Sequence, residues 1–135
     1  MPIPAFSTAW ANALLAAVND DANYRDAARG WTNPVALVVE PGDGMGDGAA
    51  VQVHLQAGTC LSATALAPAA VSAPFVLSAD LATWRDIVGG ASDPLAAVVR
   101  GTVRLTRGSL STLMLHARSA KALLDCARQI ETRWP

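Results

Sequence analysis

Charge is what this sequence is most short of: Asp, Glu, Lys and Arg make up 16% of its 135 residues, against 52% apolar. A surface built from so few charges must carry some apolar area. The 10 Lys and Arg nearly balance the 11 Asp and Glu, and neither sign forms a block. A nucleic-acid backbone needs a local excess of basic side chains to displace its counterions, so that partner is excluded. An anionic lipid surface makes a similar demand. The densest basic stretch, Arg100, Arg104 and Arg107, reads as ordinary solvated charge.

Long apolar runs are missing too. None reaches the roughly 18 residues needed to span a bilayer, so no stable membrane insertion is expected. No Lys or Arg precedes Arg25, so Ala9 to Val18 lacks the basic flank of a signal peptide. Arg133-Trp134-Pro135 is not a Ser-Lys-Leu peroxisomal address. The expected location is the cytoplasm. Cysteine is scarce as well: Cys60 and Cys126 stand far apart without a CxxC pair. They read as small buried hydrophobes in a reducing compartment. A single Lys beside nine Arg, with abundant Ala and Gly, suggests a GC-rich bacterial source.

Reactive motifs are equally thin. There is no Gly-x-Ser-x-Gly nucleophile elbow, and nothing near Cys60 would lower its pKa. No His, Cys and carboxylate set has metal-ligand spacing. Asp43 and Asp47 lie in a Gly-rich turn without the remaining ligands of a calcium loop. That turn also lacks Gly-Lys-Ser/Thr, so it is no phosphate-binding loop. Neither a cofactor nor a metal is expected, and the chain reads as a binder rather than an enzyme.

What is present is a clear alternation of elements. Phe6, Trp10, Ala13, Leu14 and Ala17 recur at helical spacing behind Ser7 or Thr8. A short helix starting near Asp20 carries Tyr24, Ala27 and Ala28 inward and stops at Gly30. Val35 to Val39 reads as a strand apolar on both faces, followed by the Pro41 to Gly48 turn. Val51, Val53 and Leu55 alternate with Gln52, His54 and Gln56; after Ala57-Gly58, Leu61, Ala63 and Ala65 alternate with Cys60, Ser62 and Thr64. Phe75-Val76-Leu77 is a fourth strand, and Asp80 caps a helix bearing Leu81, Trp84, Ile87 and Val88.

Asp93-Pro94 starts the next helix. Val103 and Leu105 mark a fifth strand, and Gly108-Ser109 opens one long helical tail ending near Ile130. This order predicts an α+β fold, one sheet with helices packed on one face, in a single domain over residues 1–135. The strands' polar sides carry mostly neutral groups, among them Gln52, His54, Gln56, Thr64 and Thr102. That face is either an ordinary wet one or the surface of a homodimer.

The element order and several strings resemble the sterol carrier protein 2 family in its bacterial stand-alone form. Trp10 and the run Tyr24-Arg25-Asp26-Ala27-Ala28-Arg29-Gly30-Trp31 carry the N-terminal likeness. Phe75 to Asp80, then Thr83-Trp84-Arg85, is similar to the family's strand-to-helix passage. Gly89-Gly90, Asp93-Pro94-Leu95-Ala96-Ala97, Gly101-Thr102-Val103-Arg104-Leu105 and Gly108 continue it in order. Ser109 departs from the Asp often found there, and Ser caps a helix about as well.

The resemblance implies a five-stranded mixed sheet with helices covering one face and an apolar tunnel between them. The implied cargo is a long-chain lipid such as a fatty acid, a fatty acyl-CoA or a sterol. The lining expected from the inward stripe of the later helices is Trp84, Ile87, Leu95, Val98, Leu110, Leu113, Met114 and Ala117. His116 borders that stripe, either as a headgroup contact or as an ordinary helix histidine; His54 reads as exposed. The same stripe would equally serve as packed core. In that case the domain dimerises or docks to a partner without lipid cargo.

Overall fold

The computed structural model describes residues 2–135. The chain runs β1 (Ile3–Pro4), α1 (Thr8–Asn19), α2 (Ala22–Ala27), β2 (Val35–Val39), β3 (Ala49–Gln56) and β4 (Thr59–Leu66). After a 3-10 turn at Pro68–Ala70 come β5 (Phe75–Ala79), α3 (Leu81–Val88), α4 (Pro94–Arg100) and β6 (Arg104–Arg107). The chain closes with α5 (Leu110–Leu115), α6 (Ala117–Ala127) and β7 (Thr132–Arg133). Ser7, Asp21, Asp80, Asp93 and Ser109 cap α1 to α5, each side chain accepting from the backbone N–H three residues on.

The main sheet has the order β4-β3-β2-β5-β6, with β2 and β5 parallel and the other neighbours antiparallel. It is therefore a mixed five-stranded sheet in an α+β fold, as the resemblance implies. Val35, Leu37 and Val39 join Val51, Val53, Leu55, Phe75 and Leu77 in the core shared with the helices. Ala36, Val38, Ala50 and Val76 point to the opposite face. A strand buried on both faces explains the unbroken apolar run at Val35 to Val39.

That opposite face is partly covered by the chain itself. The link after β4 lays Val71 and Ala73 over the small apolar cluster. Gln52 Oε1 accepts from the backbone N–H groups of Ser72 and Ala73, both at 2.9 Å. Arg107 Nη1 donates to the Ala73 carbonyl at 3.0 Å. Gln52 thus holds the link in place, on the face where the sequence left room for a second chain.

Two local features differ from the sequence expectation. His54 pairs with Ser62 and Leu55 with Cys60, so Leu61 is left unpaired between them. This bulge reverses the alternation: Cys60 turns inward and Leu61 outward. The helical tail is also not continuous, because α5 ends at Leu115 and α6 begins at Ala117. His116 stands between them with φ −112° and ψ 32°. Beyond the main sheet, Ile3 pairs with Thr132 in a short parallel bridge joining the chain ends, and Trp10 Nε1 donates to Thr132 Oγ1 at 3.0 Å.

Gly108 shows how tightly the approach to α5 is built. Its φ is +106°, and a Cβ placed there would lie 2.5 Å from Cδ2 of Phe75. The Phe75 ring cannot yield easily, since it packs edge-on against Trp31 at 4.9 Å. Gly108→Ala is expected to cost roughly 2–3 kcal/mol from backbone strain and overpacking together. Urea unfolding measures it, and a change below about 0.5 kcal/mol would mean that the loop does not press on Phe75.

Candidate functional site

The inner face of the sheet and the C-terminal helices enclose one small apolar cavity. Its floor is Val35 of β2, Leu55 of β3 and Leu77 of β5. Tyr24 of α2 and Trp31 form one side; Leu113, His116, Ser119, Ala120 and Leu123 close it from α5, α6 and the joint between them. The free volume is about 20 Å³, enough for one water molecule. Of these residues only His116 and Ala120 are partly exposed, so the cavity comes nearest to solvent at the α5–α6 joint.

Local interactions hold most of this wall rigid. Ser119 Oγ donates to the Ala27 carbonyl at 2.9 Å, fastening α6 to α2. Trp31 Nε1 donates to the Asn33 carbonyl at 2.7 Å, and its ring meets His116 edge-on at 5.3 Å. α5 is held less: Leu113 is its one buried side chain, while Leu110, Met114 and Leu115 are exposed. The helix presents more apolar surface to solvent than to the protein.

Leu113 and His116 are the expected site residues that the structure brings to this cavity. Trp84 and Ile87 are fully buried elsewhere in the core, and Trp84 Nε1 donates to the Val38 carbonyl at 2.8 Å. Leu95, Val98 and Ala117 are partly buried outside the cavity lining, and Leu110 and Met114 face solvent. The physical reason lies in the break at His116, which rotates α5 out of phase with α6, so one helical stripe cannot run through both. Tyr24, Trp31, Val35, Leu55 and Leu77 come from the first half of the chain and the sheet; only tertiary packing unites them with α6.

Tyr24 is the unusual member of the lining. It is fully buried, and its hydroxyl finds no protein hydrogen-bond partner. Burial pushes the phenol's pKa up, with a further contribution from the nearby Cys60 and Cys126 thiols. Those thiols are themselves raised, to about 11 for Cys60 and about 12 for Cys126, mainly by burial. Both cysteines therefore stay protonated at neutral pH, which leaves them poor nucleophiles. Asp21 beside them is held below the ordinary carboxylate range, first by the Tyr24 backbone N–H, then by Gln129 and Cys126 against the opposing effect of burial.

An unpaired buried hydroxyl costs stability, so Tyr24→Phe is expected to stabilise the empty protein by about 1 kcal/mol. Thermal unfolding after delipidation tests this. A loss of stability instead would reveal that the hydroxyl has a partner in solution.

Among the described residues no group of three or more His, Cys, Asp or Glu is placed to hold a metal ion. No helix among them is long and apolar enough to cross a membrane. The arrangement offers shape and apolar surface, with Tyr24 and His116 as its polar groups not engaged with the protein backbone.

No family model matches the chain, and no curated protein does. Solved structures do. A crystal structure of sterol carrier protein 2 is 37% identical, with TM-score 0.89, over 93% of this chain and 98% of that one. A solution structure from Thermus thermophilus, described as possibly a sterol carrier protein, is 36% identical with TM-score 0.86, over 95% and 90% of the two chains. The sterol carrier protein domain 2 of Helicoverpa armigera, 15% identical with TM-score 0.58 over 93% and 91%, shares the fold.

Proposed function

Since the chain belongs to the sterol carrier protein 2 family, a lipid-binding and lipid-transfer fold, we propose that it carries one long-chain lipid, non-covalently and without catalysis. The preferred cargo is a fatty acid or fatty acyl-CoA, with a sterol as the third candidate. The observation that carries this reading is the cavity itself, walled by sheet side chains and closed on one side by the weakly held α5.

Ligand pockets run to roughly 300–1,000 Å³, so α5 must move for a lipid to enter. Unseating Leu113 costs on the order of 1.5–3 kcal/mol. That gap leaves an open state populated at around the per cent level. Transferring a 16-carbon tail from water is worth on the order of 13 kcal/mol. Ordering of tail and carrier consumes part of that, and the remainder still exceeds the opening cost. His116, half-buried at the α5–α6 joint, is the residue assigned to the headgroup.

A second reading rests on the small volume: a well-packed domain of this fold that docks to a partner or dimerises without cargo. Native mass spectrometry followed by organic extraction separates the two. Palmitate, palmitoyl-CoA and cholesterol are then each titrated into delipidated protein. The carrier reading expects a one-to-one complex with at least one of them. Folded protein that is empty as purified and binds none of the three would overturn it in favour of the docking module.

A further inference from the structure

Among the described residues, the polar atoms buried in the core find partners within the protein, with Tyr24 as the exception. Trp10 Nε1 donates to Thr132 Oγ1, Trp31 Nε1 to the Asn33 carbonyl and Trp84 Nε1 to the Val38 carbonyl. Ser78 Oγ pairs with Thr106 Oγ1, and Ser119 Oγ donates to the Ala27 carbonyl. Even the Cys60 thiol reaches the Ser62 carbonyl. Asp125 Oδ1 makes no hydrogen bond but faces the Arg128 guanidinium at 3.5 Å. The Tyr24 hydroxyl is fully buried with neither a hydrogen bond nor an ion.

This unmatched group belongs to the wall of the cavity, whose free volume of about 20 Å³ suits one water-sized oxygen. Ser119 brings the other hydroxyl of the lining. It donates to Ala27 and keeps oxygen lone pairs for a further donor. Ala27 follows Tyr24 by three residues on α2, so both hydroxyls stand at the α2–α6 seam. An alcohol oxygen at that seam can accept from Tyr24 and donate to Ser119.

A charged group suits this end badly. No Lys or Arg among the described residues lines the cavity. Asp21 Oδ1 accepts from the Tyr24 backbone N–H at 2.8 Å, and this bond helps to keep the carboxylate ionised. Its Oδ2 accepts from the Cys126 thiol at 3.6 Å. A second carboxylate carried in to Tyr24 would be buried without a cation and repelled by Asp21. The ionised head of a lipid therefore belongs at the mouth beside His116, and an uncharged oxygen at the closed end. A tail of carbon alone fits that end poorly too, because it displaces solvent from Tyr24 without replacing the hydrogen bond.

We propose that Tyr24 selects a long-chain acid hydroxylated toward the far end of its tail. The alcohol oxygen accepts from the Tyr24 hydroxyl, and the carboxylate stays at the α5–α6 joint. This names the cargo more closely than the carrier reading above and rests on it. The hydroxyl that folding leaves stranded is matched in the loaded protein. An unhydroxylated acid of the same length binds more weakly, since it leaves Tyr24 unpaired.

Calorimetric titration of delipidated wild type and Tyr24→Phe with ω-hydroxy acids, from decanoate to octadecanoate, tests the proposal. Each is compared with the plain acid of its length. Where the chain reaches Tyr24, the wild type should prefer the hydroxy acid about tenfold. Tyr24→Phe should reverse that preference, because the alcohol then loses its donor in an apolar site, while the plain acid binds at least as well as before. A tyrosine that only packs the wall would leave the preference the same in both proteins.

Plain acids that bind as well as their hydroxylated counterparts at every length would overturn this inference and leave the carrier reading standing. A preference that survives Tyr24→Phe would do the same. Cholesterol is the third arm: a tenfold loss in Tyr24→Phe seen with cholesterol alone would assign the hydroxyl to a sterol and overturn the acid. Binding of none of these ligands to either protein would overturn both readings together.

Discussion

Replacing Trp84 by alanine is expected to cost about 4–6 kcal/mol, a large share of the stability of a domain this size. Trp84 is fully buried and carries α3 onto the sheet, packing beside Phe6 at a ring separation of 5.9 Å. Truncating a buried tryptophan costs about 3–5 kcal/mol in lost burial and residual cavity. Its indole N–H also donates to the Val38 carbonyl at 2.8 Å. Losing that donor weakens the satisfaction of a buried backbone group by roughly 1 kcal/mol more.

Native domains have only about 5–15 kcal/mol to lose. Urea unfolding with near-ultraviolet circular dichroism measures the effect, and Trp84→Phe separates its parts by keeping most of the volume without the donor. The phenylalanine variant should fall between wild type and alanine. An alanine variant with nearly wild-type stability would contradict the packing described here. It would return Trp84 to the role the sequence offered it, as the wall of a space that something else can fill.

Ala120→Phe is expected to fold and to lose lipid affinity by roughly a hundredfold. Ala120 is partly exposed where the cavity comes nearest to solvent, beside His116. A phenyl ring has room to project outward there, so overpacking should stay near the lower end of about 1–3 kcal/mol. The same ring obstructs the way in for a tail. Denying burial to four methylenes forfeits about 3 kcal/mol, or roughly two orders of magnitude in Kd. Displacement of a fluorescent fatty acid measures the change, with Ala69→Phe as a control at an exposed site outside the cavity. Unchanged affinity in the Ala120 variant would place the cargo elsewhere.

The two variants probe different parts of the molecule. Trp84 belongs to the densely packed zone near α3, where the helix is clamped to the sheet. Ala120 belongs to the zone beneath α5, where the covering helix has a single anchor. A carrier of this fold needs that asymmetry: enough fixed core to remain folded, and one wall held by only a few kcal/mol so that it can yield.

Much of the architecture was legible in the residues because it depends on short-range chemistry. Side-chain caps at Ser7, Asp80 and Asp93 and the Pro at the start of α4 follow from local hydrogen bonding and a fixed φ. The doubly buried Val35 to Val39 follows from an apolar run with no polar alternate. The strings around Trp84 and Asp93-Pro94 pointed to the sterol carrier protein 2 family, and the structural matches show it.

Three features depended on the tertiary structure. The bulge at Leu61 costs one residue of register and reverses which side chain faces the core; nothing in the alternation marks where it falls. The break at His116 redirects α5, leaving Leu110 and Met114 outside and Leu113 inside. The cavity draws on α2, the sheet and α6, so its lining has no common period along the chain. Periodicity records which face of one element is apolar. Whether that face meets a neighbour, a void or solvent depends on how several elements pack at once, and for α5 packing left most of its apolar side chains uncovered.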